Sequence, residues 1–262
     1  GIGVACRNTM LSSSYAASVS AAVSTYRSST PMTPRLLFRD AVHEGCEDVN
    51  LWLNRAGVNV QPLSDSDMEW VSSMPEGIPK EMVSTEELLA KFCIASKDEL
   101  ICLASLAGRQ LASPPEETHL ETEGTSEVVG HPGKYPKVYR LDEGNAHLFP
   151  TENLARLHVN RRAADLREVD EFMKVLAGYM EWFFEIDGEV GLVAVPAGWQ
   201  IYYHGDGVHG GFIHSQTRAV VLSQIVGPRE WEMAYTGTPN PLLSQVQALT
   251  MADQPAGASA SA

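Results

Sequence analysis

The sequence predicts an α+β protein, mainly helical, with a small antiparallel β-unit near residues 190–226. Three observations carry that prediction. Apolar residues recur at helical spacing over 163–184, where Leu166, Val169, Phe172, Met173, Leu176, Tyr179, Met180 and Phe183 fall on one stripe. Two capping boxes, Ser84 with Glu87 and Ser96 with Glu99, each open an apolar-striped segment. From residue 190 the period then changes, and short β-rich runs alternate with glycine-rich turns.

The elements follow in chain order. Residues 1–34 are a low-complexity Ser/Ala arm closed by Pro31 and Pro34, of a composition that buries little apolar surface by itself. Over 36–56 the pattern suits two helical pieces. Leu37, Ala41 and Val42 lie on one face, Val49, Trp52 and Leu53 on another, and Gly57 is the stop. Residues 64–74 start with polar groups able to cap a short helix. The two capping boxes complete a helical subdomain over 35–112.

Residues 113–133 read as an acidic, proline-bearing linker. A second subdomain spans 134–252. It holds a candidate strand over 134–141, a helix opening at Pro150 or Thr151, the long helix ended by Asp187-Gly188, and strands at 190–195, 199–204, 211–214 and 217–226. A last helix opens at Asn240-Pro241, and 253–262 is a featureless tail.

Charge is distributed unevenly. The net charge is −14, yet the first 39 residues hold no Asp or Glu, and Arg7, Arg27, Arg35 and Arg39 are their only charges. The acidic body argues against indiscriminate binding to nucleic acid or anionic membrane. No run reaches the ~18 apolar residues of a membrane span. None of the four cysteines has CxxC spacing, so zinc-ribbon and thioredoxin chemistry lack support.

Two constellations could carry chemistry. The segment 199–214 holds three of the eight histidines, His204, His209 and His214, with Asp206 among them. Imidazole and carboxylate suit a divalent transition metal, and the glycines at 205, 207, 210 and 211 let backbone approach closely. The His204-Gly-Asp206 step resembles the HxD of non-haem iron oxygenases. In that group, however, the distal histidine lies much farther downstream, and no histidine here follows His214. The second constellation is basic. Arg156, Arg161, Arg162 and Arg167, with His158 among them and Arg218 farther on, could line a groove for a single nucleic-acid strand, with Tyr179 for stacking. As a plain helix surface, the same arginines would pair with Asp165 and Asp170.

No nucleophile elbow, Walker loop, dinucleotide fingerprint or H-E-x-x-H motif is present, and no cofactor is expected. The leading expectation is therefore a structural subunit of a large assembly rather than an enzyme. A viral coat protein, in a virion or cytoplasmic assembly, fits best. Residues 1–34 and 253–262 would contact copies of the chain or other subunits, and the arginines would face single-stranded nucleic acid. Two alternatives are kept. One is a metal-dependent enzyme using the 199–214 hairpin. The other is an accessory subunit of a mitochondrial or plastid complex, since the acid-free N-terminus has transit-peptide composition.

Overall fold

The computed structural model describes residues 7–74, 83–92, 96–114, 137–141, 155–212, 219–227 and 231–246. The chain is not mainly helical. Among the described residues its centre is antiparallel β-structure in which eleven strands are linked through one long strand.

That strand is β6, Asp170–Ile186. It replaces the long helix expected over 163–184. The helical stripe there was an accident of burial: most of the strand is buried on both faces, so its apolar residues fall on a helical period as well. Strand β6 serves two sheets in succession. Its first half, through Gly178, pairs with β8 (Trp199–Tyr203) and β10 (Ala219–Val226). Its second half, from Tyr179, pairs with β7 (Glu189–Pro196) and, over Glu181–Phe184, with β9 (His209–Phe212). The change falls at Gly178, whose φ of 63° is open to glycine, close to a register shift between Val220 and Val221.

The expected helix stop Asp187-Gly188 is instead the two-residue turn of the β6–β7 hairpin. Both residues have positive φ, 51° and 80°, as a type I′ turn requires. A second hairpin replaces the first helical piece of 36–56. Strand β1 (Arg35–Phe38) pairs with β2 (Ala41–Glu44) through Arg39 and Asp40, with φ of 53° and 64°. The second piece is helical as expected: α2 runs Cys46–Leu53 and ends through Gly57 at φ 71°.

Remaining strands extend both sheets. β3 (Val58–Pro62) pairs with β8, and β4 (Lys137–Leu141) pairs with β10. β5 (His158–Arg161) pairs with β9 and with β11 (Glu232–Tyr235). The strands expected at 190–226 correspond to β7 through β10, but they belong to this larger architecture rather than to a small unit. The helix expected to open at Pro150 or Thr151 begins outside the described residues, and by His158 the chain is a strand.

The main core lies between the sheets. Leu36, Phe38, Val58, Val60, Trp182, Phe184, Val193, Val195, Ile201 and Val221 fill it. Helices cover the outer faces. α1 (Arg7–Tyr26) lays Val19, Ala22, Val23 and Tyr26 on Leu37, Phe183 and Leu192. Arg27, just past α1, pairs with the buried Glu181 at 2.5 Å, and Tyr26 donates to the same carboxylate at 2.8 Å. α3 (Asp65–Ser73) and α4 (Thr85–Phe92) cover Leu176, Val220 and Leu222, and α5 (Lys97–Leu106) covers Phe172 and Tyr202. Their caps are the ones the sequence announces. Ser84 and Glu87 exchange reciprocal backbone bonds, and the Ser64 and Ser96 hydroxyls accept from Asp67 and Glu99 N–H. Among the described residues no helix is long and apolar enough to cross a membrane.

Candidate metal centre between the sheets

One end of the inter-sheet space is polar. β5 alternates buried and half-buried residues, so His158 and Asn160 share its buried face. His158 pairs with His209 on β9, and His209 in turn lies opposite Phe184 on β6. This crossing depends on glycine at Gly205. A Cβ there would stand 2.3 Å from Val169 N, and Gly205 O accepts the Asn160 N–H at 3.1 Å. The glycines of the 199–214 segment thus let backbone approach backbone.

The two imidazoles are held alike. His158 Nδ1 lies 2.8 Å from Arg156 O, and His209 Nδ1 lies 2.8 Å from Gly207 O. A carbonyl only accepts, so each Nδ1 carries a proton and donates it. Burial pushes the His158 pKa down. Burial, and then the neighbouring His158, push that of His209 well below its ordinary value. Both rings are therefore neutral at pH 7, and each Nε2 presents an unprotonated lone pair. The rings stand 4.3 Å apart between centroids, and the Tyr203 ring lies 4.5 Å from His209. A histidine fixed by Nδ1–H to a carbonyl, with Nε2 free, is in the state in which histidines bind metals.

Around the pair is a set of buried polar groups. Glu171, 4% exposed, accepts from Tyr203 Oη at 2.5 Å, Ser223 Oγ at 2.8 Å and Asn160 Nδ2 at 3.1 Å. Asn160 is fully buried, and its Oδ1 has no hydrogen-bond partner.

His204 and Asp206, expected as ligands, do come together. His204 Nδ1 is 2.7 Å from Asp206 Oδ1, and His204 Nε2 is 3.8 Å from Asp170 Oδ1. Asp206 also takes Arg109 at 3.2 Å. Burial raises the Asp170 pKa, opposed by His204 and by donors from Ala112 N, Gly205 N and Tyr202 Oη. With those three donors, Asp170 ties α5's exit, β6 and β8 into a joint. His209 belongs to the His158 pair, and His214 lies outside the described residues. Among the described residues no three His, Cys, Asp or Glu side chains form a set able to hold an ion, so His204, Asp206 and His209 make no triad.

The arginines do not line a groove on one helix. Arg162 and Arg167 both approach Asp165 in the loop between β5 and β6, Arg161 lies 3.7 Å from Glu232, and Arg156 stacks 3.9 Å over the Tyr235 ring. Arg218 lies outside the described residues. Sequence reasoning missed Asn160, Glu171 and Tyr203, and placed His158 with the arginines. The signal was the His-Val-Asn alternation, concealed because 150–159 reads as a helix.

No protein-family model matches the chain, and no curated protein matches it. A solved structure that is similar is an acireductone dioxygenase from Bacillus anthracis with a cadmium ion in its active centre. It is 15% identical, covers 79% of this chain and 99% of that one, and superposes with a TM-score of 0.44. The coat-protein expectation is corrected by the chain's own packing. The supposed free arm carries α1, packed on its own sheet, and three of the supposed genome-facing arginines stand beside carboxylates of their own chain.

Proposed function

We propose that this chain is a metal-dependent enzyme whose metal is held by His158 and His209 between the two sheets. One observation carries the reading: two buried imidazoles, each oriented by Nδ1–H to a backbone carbonyl, stand 4.3 Å apart between ring centroids. Nitrogen donors of this kind suit zinc, iron, nickel, cobalt or copper. Such an ion supplies Lewis acidity toward a bound oxygen or water.

The chain's own residues supply the rest. Tyr203 packs its ring on His209 and is fixed through its hydroxyl by Glu171. Phe184 and Tyr235 flank the imidazoles from other sides. The apolar core beyond them keeps water out, which strengthens every electrostatic contact in the pocket.

The test is elemental analysis of the purified chain, with equilibrium dialysis against zinc and cobalt(II). Stoichiometric metal in the wild type, lost in His158→Ala and His209→Ala but kept in His204→Ala, is the expected result. A wild type that takes up neither metal, or a His204→Ala variant that alone loses it, defeats the proposal.

A further inference from the structure

Two imidazoles leave a metal site short of donors, and no third His, Cys, Asp or Glu joins them among the described residues. A different kind of donor stands on the same strand face. We propose that the side-chain oxygen of Asn160 is the oxygen ligand of the His158–His209 centre, an inference that rests on the metal-centre reading above.

The orientation of the carboxamide follows from its partner. Glu171 Oε2 lies 3.1 Å away, and a carboxylate oxygen accepts, so the atom facing it is Nδ2. The opposite orientation would set two acceptor oxygens against each other. Oδ1 therefore points away from Glu171, and there it meets no donor, although Asn160 is fully buried. A buried acceptor left without a partner is costly, and such groups call for an explanation. The nearby hydroxyls do not serve it: Tyr203 and Ser223 both spend their single proton on Glu171.

His158 and Asn160 are two apart on the buried face of β5, which sets their Cα atoms roughly 7 Å apart along the strand. At that spacing two side chains can converge on an ion between them. His209 is the register partner of His158 and approaches from β9. The donor set is then two imidazole nitrogens and one carboxamide oxygen, all neutral. Glu171 is a positioning residue in this scheme. It holds Nδ2 and so aims Oδ1, as carboxylates behind metal ligands commonly do.

Cobalt(II) chloride is the probe, because its visible d–d bands report the donor set directly. Wild type, His209→Ala, Asn160→Ala and Asn160→His are titrated in metal-stripped form, with circular dichroism and thermal unfolding recorded beforehand. Asn160→Ala should bind cobalt at least about tenfold more weakly, the scale seen when a metal site loses a supporting group, and its bands should shift. Asn160→His keeps an N–H for Glu171 and offers nitrogen in place of oxygen. It should restore tight binding with bands moved to shorter wavelength. A wild type that binds no cobalt overturns the metal-centre reading and this inference together. Cobalt binding that is lost in His209→Ala but unchanged in affinity and bands in Asn160→Ala overturns this inference alone. If Asn160→Ala does not fold, the bands of Asn160→His decide: unchanged bands reject the ligand role.

Discussion

Arg27 and Glu181 show what single residues do in this fold. Glu181 is 1% exposed and stands between the buried Met180 and Trp182, so its charge depends on Arg27 and the Tyr26 hydroxyl. Breaking a buried pair from one side leaves an uncompensated charge. Arg27→Ala should therefore destabilise the protein by about 3–5 kcal/mol, measured by urea unfolding. A loss under about 0.5 kcal/mol, the scale of surface changes, would mean that water reaches Glu181. The histidine pair makes a second prediction at this scale, for chelator-treated protein. Burial, and for His209 also the neighbouring imidazole, hold both folded-state pKa values below the ordinary value of about 6.5. Below about pH 6.5 the unfolded chain takes up protons that the folded chain refuses, so stability falls as pH drops and levels off above that value. A His158→Gln, His209→Gln variant should lose much of that slope. An unchanged slope would assign the acid sensitivity to other groups.

Elements were legible wherever chain punctuation was strong. The capping boxes at Ser84 and Ser96 and the glycine turns after residue 190 announce elements that the structure contains. β1–β2 was missed because its turn uses Arg39 and Asp40, neither of them a turn glycine, at φ of 53° and 64°. β6 was missed because both its faces are buried. Trp182 and Phe184 enter the inter-sheet core while Phe183 meets α1, so the strand shows no alternation of apolar and polar residues. Leu176, chosen on helical spacing, is still buried, but it packs from the outer face of a sheet against Leu88 and Phe92. Leu176→Ala should cost about 2–5 kcal/mol by denaturant unfolding, and a cost near zero would mean that α4 does not cover that face. Of the candidate site, the sequence offers His209 only as an alternative to His214 for a third ligand beside His204 and Asp206, whereas His158 and Asn160 become a pair only once residues 158–161 prove to be a strand.

At the scale of the whole molecule, two sheets share one strand and are sealed by helices on both outer faces. From sequence alone, removing residues 1–34 should leave the body folded, but the packing of α1 predicts otherwise. The deletion strips Val19, Ala22, Val23 and Tyr26 from Leu37, Phe183 and Leu192, and takes both donors from Glu181. Each of the two buried valines contributes about 1.5–3 kcal/mol, and stranding the buried Glu181 charge adds about 3–5 kcal/mol, so the loss is comparable with the whole stability of a domain. The truncated chain should show no cooperative unfolding transition, whereas a sharp transition at the wild-type midpoint would make α1 dispensable. The central claim, that the polar end of the inter-sheet core is a metal centre built on His158 and His209, meets its most direct test in one measurement: cobalt(II) titration of the metal-stripped chain, followed by visible absorption. The account predicts one equivalent bound, with nitrogen-ligand bands that disappear in His158→Ala and in His209→Ala. Absence of binding by the wild type, or bands that survive the loss of both histidines, would contradict it.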